Sequence, residues 1–504
     1  MDSTTQMKTT DIEQKHSYEF MEFWEPTVII VSSVTYTNNT AAILLKADQK
    51  TSKQNTWACF SKNATNHTLI SLTSPRSAHV PVQLCKLHTF VATCSTVENP
   101  IHFSLGLPNY DVNIFSEIPI RYPIKERLPV VSCVSSLYFA ERFQQIVLSI
   151  EAYAYFGVNR QAYYLLSALE GVYNLLQEYE KARLIDLHNW WLPDVDEFPA
   201  KLQLSTRDQV GALNDCFINY REAADFIIVH DVDDLIFLSS GGDFHFEFSQ
   251  LWKSRPQTAY FQYPSFAAIG QIGKNFHDFD MARTLNSLVI GDFPWDGKSV
   301  YNTSLVETVW IHWTDFYKEN LSGYKMPPNE GIVVHARHWS FDQEKSKTAL
   351  MEETYNSPHK QNRITKVNSY YPKISSLLSS EAISQINLNY EMRMLSIGSN
   401  KTFSSSLTSN DLYYKLADAC VSQIGGFTYR KIGCRTNYAC TIPPFFGVTC
   451  VQTKQYLQKT IFNEYFIVYA PAGKTRTVFN HNGCNYMFVE LRVKFTDSQA
   501  QFDV

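Results

Sequence analysis

The stretch Phe226–Leu238, FIIVHDVDDLIFL, decides how this chain is read. An apolar run ends in a histidine, three carboxylates follow within four positions, and the chain then turns hydrophobic again. A carboxylate buried without a partner is either strongly destabilising or driven to its neutral form. Acid inside core-forming sequence therefore needs a reason, and three are open. Asp231–Asp234 is a solvated turn between strands, or Asp231 and Asp233 hold a divalent cation, or Asp231 is an aspartyl nucleophile with Asp233 as its acid/base partner.

The flanking sequence places the motif. LPVVSCVSS (128–136) reads as a strand ending in small polar residues, and Phe143, Ile146, Val147, Ile150 and Ala154 then recur at helical spacing until Gly157. QAYYLLSAL (161–169) reads as a strand, GVYNLLQEYEKAR (171–183) as a helix and LIDLHNWW (184–191) as a strand. TRDQVGALNDCFINYREAA (206–224) reads as a long amphipathic helix opened by Ser205 or Thr206 as N-cap, and DFIIVHD is the next strand. Strands alternating with helices predict βαβ units and a parallel sheet. Asp231–Asp234 then falls at the carboxyl end of its fourth strand, the side on which open α/β sheets bind ligands.

On a straight strand Asp231 and Asp233 share a face, about 7 Å apart, while Asp234 faces elsewhere. A hard cation such as Mn²⁺ or Mg²⁺ relieves that repulsion and completes its shell with phosphate oxygens, which suits a nucleoside diphosphate. A phosphohydrolase normally opens its domain with such a motif. Here three strands precede it, and Lys298 is the one plausible basic partner, so the nucleophile reading recedes.

Length and composition bound the rest. The 504 residues predict roughly three domains. With 18% charged, 44% hydrophobic and 14% aromatic residues, the chain is of folded globular type. The 44 basic and 49 acidic residues form no run of like charge, which argues against nucleic acid or an anionic membrane as partner. The polar start and the lack of a long apolar segment show no signal peptide or membrane span. Ten cysteines, five of them (Cys420, Cys434, Cys440, Cys450, Cys484) in the last 85 residues, predict a disulfide-stapled C-terminal module. With sequons at Asn38, Asn63, Asn66, Asn302, Asn320 and Asn400, they point to secretory exposure, with an anchor not seen in this sequence.

Four segments in order resemble glycosyltransferase family 92: CVSSLYFAERFQQIVLSIEAYAYFGVNRQAYYLLSA, LNDCFINYREAADFIIVHDVDDLI, GKSVYNTSLVETVWIHW and VVHARHW, from about Val130 to Trp339. The resemblance implies a GT-A-like, Rossmann-type, mostly parallel sheet. It also implies an inverting, Mn²⁺- or Mg²⁺-dependent transfer of a hexose, galactose in particular, from a UDP-sugar to a glycan or glycoprotein acceptor. The setting it implies is a Golgi membrane (type II) or lumen. Carried over position by position, Asp231 and Asp233 match the metal and diphosphate site, His312 a third metal ligand and Lys298 a phosphate-contacting cation. The chain departs from the family in Asp234, where glutamate is usual, in His230 before the triplet, and in Ala336, where an aromatic residue is usual.

Inversion needs a base for the acceptor hydroxyl. Asp292, Asp296 and Asp315 follow the motif among Trp295, Trp310 and Trp313, an arrangement suited to sugars, and Asp296 in FPWDGKS is the preferred base. His335, on an apolar strand, reads as a hydrogen-bonded core residue as readily as a ligand. Asp215 and Cys216 read as structural, with Cys216 buried and inert, and Glu151 as a buried salt-bridge partner. The expected organisation is a polar tail (1–26), a β-rich region (27–125), the GT-A-like domain (126–343), a helical linker (344–408) and the cysteine-rich module (409–504). The rival expectation is a carbohydrate-binding or scaffold protein that keeps this fold without turnover.

Overall fold

The structure is a computed structural model that describes residues 27–48, 51, 56–80, 85–193, 195, 200–238, 241–273, 275–340, 374–397, 407, 412–416, 434, 442–464 and 466–484. The expected polar tail, Asn400, Cys420, Cys440 and residues 344–373 of the expected linker lie outside the described residues.

The centre is a mixed sheet of nine strands: β1 Val130–Leu137, β2 Arg160–Leu165, β3 Ile185–Asn189, β4 Phe226–His230, β5 Asp234–Leu238, β6 Thr258–Gln271, β7 Val289–Asn302, β8 Ser322–Lys325 and β9 Gly331–Ser340. Its order is β3-β2-β1-β4-β7-β6-β9-β5, with β8 beside β6. The first four strands are mutually parallel, as the sequence predicts, and β7 joins β4 antiparallel.

Both faces of the parallel half are covered, which is why its strands read as nearly continuous apolar runs. Val130 and Val134 of β1, Tyr163 and Leu165 of β2 and Ile228 of β4 pack in one core with Ile146, Val147 and Ile150 of helix α1 (Phe143–Tyr155) and Leu175 and Leu176 of α2 (Glu170–Lys181). The alternate residues Val131, Cys133, Ala162, Tyr164, Ile227 and Val229 face the second core, with Leu213 and Phe217 of α3 (Gln209–Tyr220). A period of two thus sends each strand into two cores.

Helix α3 is itself covered by the N-terminal region, whose Val31, Val34, Ala42 and Leu44 join its core. That region contains long strands at Thr27–Thr35, Thr40–Ala47 and His88–Ser95. C-terminal strands complete its sheet: Phe466–Pro471 runs parallel to Thr27–Thr35 and pairs with Leu457–Asn463.

The cysteines of the expected C-terminal module (409–504) do not all pair with one another. Cys434 pairs with Cys85, 349 residues away, and among the described cysteines of 409–504 the bridge that closes within the segment is Cys450–Cys484. Cys216 is buried but not a free thiol, because it bridges α3 to Cys133 on β1.

Two further expectations change. The segment 161–169 is two strands, because after Leu165 the chain leaves the sheet and Ser167–Leu169 pairs with Cys450–Lys454. The helix expected to open at Ser205 or Thr206 begins at Gln209, after a turn in which Arg207 and Asp208 have φ of 55° and 56°.

The link from β4 to β5 shapes the site. Four Cα steps span at most about 14 Å, whereas four flat strand spacings would separate these strands by about 19 Å. The sheet must curl, so that β4, β5, β7 and β9 converge at the acidic motif.

Candidate active site

Strand β4 stops at His230 because the chain turns there. The Asp234 N–H donates to the Asp231 carbonyl (3.0 Å) and the Asp231 N–H donates to the Asp234 carboxylate (3.0 Å). Strand alternation does not survive such a turn, so the expectation that Asp234 faces away from the other two carboxylates is corrected. Asp231 and Asp234 share a cation, the Lys298 ammonium on β7, at 2.7 and 3.2 Å. Asp233 and Asp234 share a histidine, His335, which is the cross-strand partner of Asp234 on β9.

Asp231 is further held by the Ser135 hydroxyl at the end of β1 and by the Gln209 amide at the start of α3 (2.9 Å). Burial works against its charge, but Lys298 and then Arg207 hold its carboxyl well below the usual range. Asp234 is 0% exposed, and Lys298 and His335 overcome the same penalty there. The Lys298 side chain is 6% exposed, and the two carboxylates offset the effect of burial and raise its pKa.

His335 has two different sides. Its Nδ1 lies 2.6 Å from Asp234 Oδ1 and its Nε2 lies 3.9 Å from Asp233 Oδ2. An ionised carboxylate only accepts, so Nδ1 carries a proton, and Nε2, facing Asp233, is the nitrogen left either to take up a second proton or to ligate a cation. A carboxylate that fixes the tautomer of a ligating imidazole is a recurrent support of metal sites. Asp233, Asp234 and His335 each offer a ligand atom, all within 4.8 Å of one another, and mixed oxygen and imidazole donors suit Mn²⁺ and related ions.

The structure pairs Asp231 with Lys298 and sets Asp233 beside His335, and neither Asp231 nor His312 belongs to the group Asp233, Asp234 and His335. His312 Nδ1 donates to the Gly297 carbonyl (2.7 Å), and its ring lies beside Trp310 and Trp313. Burial, followed by the charge of Lys298, lowers its pKa and favours a neutral imidazole. Asp296 is 62% exposed and faces Lys325 at 4.0 Å, while the adjacent Trp295 sets its ring edge-on to His335 (centroids 5.7 Å). Asp315 pairs with His79 (3.5 Å), on which Trp310 stacks (4.1 Å). The Asp292 side chain is outside the described residues.

The structural assignments hold. Asp215 accepts from both terminal nitrogens of Arg121 (2.9 and 2.6 Å) and from the Tyr164 hydroxyl (2.9 Å). Glu151 pairs with Arg393 (2.8 and 3.0 Å) and accepts from Tyr179 (2.8 Å).

Gly297 explains how Lys298 is aimed. A Cβ there would sit 1.4 Å from the Tyr263 carbonyl oxygen on β6, so β7 approaches β6 more closely than any side chain allows. Gly297→Ala is expected to push the strands apart, lower stability by about 1–3 kcal/mol and loosen the Lys298 contacts. Chemical denaturation, with binding at the site as a second readout, checks this.

A cation held by this group would bind in a pH-dependent way through His335. Burial lowers its pKa, but Asp233 and Asp234 outweigh burial and raise it above the ordinary value of about 6.5. A protonated imidazole cannot ligate, so Mn²⁺ affinity is expected to rise with pH up to that raised pKa, with a limiting slope of about tenfold per unit below it. Mn²⁺ titrations between pH 5.5 and 8.5 test this, and a flat profile would exclude His335 as a ligand.

Residues 128–375 match the model of glycosyltransferase family 92, and this stretch of the chain is a glycosyltransferase family 92 domain. Three Caenorhabditis elegans proteins, each named a glycosyltransferase family 92 protein, are similar to the chain. The first is 27% identical over 73% of this chain and 70% of its own length. The second is 28% identical over 54% of each chain, and the third 23% identical over 57% of this chain and 56% of its own. The chain thus spans little more than half the length of the latter two.

Proposed function

We propose that the chain is a glycosyltransferase that moves a hexose, galactose in particular, from a UDP-sugar to a glycan or glycoprotein acceptor with inversion. The observation that carries this reading is the carboxylate–imidazole group Asp233, Asp234 and His335, placed beyond the carboxyl ends of the parallel strands inside a family 92 domain. A divalent cation, Mn²⁺ or Mg²⁺, held by these residues supplies positive charge for the departing diphosphate.

In this reading the metal set expected from sequence, Asp231, Asp233 and His312, gives way to Asp233, Asp234 and His335. Asp231 and Lys298 serve as a fixed ion pair that frames the group, and Asp234 also orients the His335 ring. Asp296, exposed beside Trp295, is the proposed base for the acceptor hydroxyl. The transferring unit is 126–343, backed by the β-rich region. Four disulfides among the described residues support an oxidising compartment, the Golgi lumen or its membrane. No described helix is long and apolar enough to cross a membrane.

One observation favours a second reading, a carbohydrate-binding protein without turnover: two of the three motif carboxylates are already engaged by Lys298. UDP-galactose turnover with and without Mn²⁺ separates the two. Mn²⁺-dependent release of UDP that reaches an acceptor in wild type, and falls to hydrolysis alone in Asp296→Asn, supports transfer with Asp296 as base. Tight glycan binding with no UDP release under any condition supports the second.

A further inference from the structure

Beside Asp231 the backbone adopts a turn that ordinary residues avoid. Arg207 (φ 55°, ψ 21°) and Asp208 (φ 56°) are consecutive non-glycine residues in the left-handed region. Such a conformation persists only where its surroundings over-determine it, and it clusters at functional sites. Here three anchors do so. The buried Lys46 ammonium, from the N-terminal sheet, donates to the Asp208 carboxylate and to Thr89 Oγ1 (2.8 Å). The Ser136 hydroxyl, at the end of β1, donates to the Arg207 carbonyl (2.7 Å). Gln209, the first residue of α3, donates to Asp231 (2.9 Å).

The side chain held by this turn is not used up by the fold. Arg207 Nε is buried and has no hydrogen-bond partner among the described residues. Gln209, two residues further on, donates to Asp231 at 2.9 Å, which sets the turn beside the acidic motif. Lys298, the cation expected from sequence to contact phosphate, is instead committed to two carboxylates. An unsatisfied guanidinium N–H calls for an acceptor, and the planar fork of arginine matches phosphate oxygens in pairs. The position, between the end of β1 and the start of α3, is where an open α/β sheet receives a ligand, and the helix dipole there favours an anion.

We propose that Arg207 contacts the diphosphate of the nucleotide donor, with the turn pinned by Lys46 and Asp208 holding its guanidinium in place. This rests on the glycosyltransferase reading above. The β-rich region gains a role by it, since its buried lysine sets the position of a donor-binding residue in the neighbouring domain.

The test is calorimetry on the full chain, first with Mn²⁺ alone and then with inorganic pyrophosphate added to the Mn²⁺-loaded protein. Arg207→Gly relieves the left-handed strain, so it removes the charge without threatening the fold, and Arg207→Gln keeps a long polar side chain. Both variants are expected to bind Mn²⁺ as wild type does and to bind pyrophosphate about tenfold or more weakly. Pyrophosphate affinity within about twofold of wild type would overturn the Arg207 assignment and leave the cation site standing. Loss of Mn²⁺ and pyrophosphate binding together in both variants would show a structural role and overturn it equally. A wild type that takes up neither probe would overturn the parent reading and this inference with it.

Discussion

Lys298→Met is expected to destabilise the folded chain by about 3–5 kcal/mol at neutral pH, because removing one partner of a buried ion pair leaves an uncompensated charge. Two carboxylates lean on this ammonium, at 2.7 and 3.2 Å, and Asp234 has no solvent exposure to fall back on. In wild type both acids have folded pKa values below their unfolded ones, so their contribution is present above the ordinary carboxyl range and is lost as pH falls through the depressed values. The variant lacks that contribution, and its deficit is therefore largest at neutral pH and narrows below about pH 4. Urea denaturation at pH 7 and at about pH 3, below the ordinary carboxyl range, measures it. A difference of under about 1 kcal/mol at pH 7, the size of an exposed pair, would mean that solvent reaches the cluster.

Asp233→Ala is expected to have the largest effect on activity, a loss of at least about 10³-fold in metal-dependent donor turnover, since Lewis-acid stabilisation contributes several kcal/mol at the barrier. The fold should survive it. What ties Asp233 to β9 is its backbone carbonyl, which accepts from the Ala336 N–H at 2.7 Å and remains after truncation. The side chain is 14% exposed, and its described ion-pair partner is His335 at 3.9 Å. Turnover and thermal melting measured on the same preparation separate the two roles. Activity retained within about tenfold would exclude Asp233 from the reaction.

The parallel half of the sheet was legible because its cores impose short-range periodicity. The alternation in β1, β2 and β4 and the helical spacing in α1, α2 and α3 are visible within a dozen residues. The motif's place at the end of β4 followed from strand order alone. What escaped was set by longer-range geometry. The reciprocal bonds of Asp231 and Asp234 turn the motif, and straight-strand alternation has no means of anticipating that. His335 lies 101 residues from Asp234 and meets it through the register of β5 with β9. Ser135 was visible as a small polar residue ending a strand, and only the adjacency of β1 and β4 gives it a partner. Arg207 stood in a segment read as regular helix, where nothing local marks a left-handed turn. Cysteine spacing likewise says little about a bridge of 349 residues such as Cys85–Cys434.

Electron paramagnetic resonance of Mn²⁺ titrated into wild type, His335→Ala and His312→Ala at pH 7.5 is the measurement closest to the central claim. Our account predicts one saturable Mn²⁺ site per chain in wild type, retained in His312→Ala and abolished in His335→Ala. No saturable site in wild type, or a site lost with His312 and kept without His335, would contradict it.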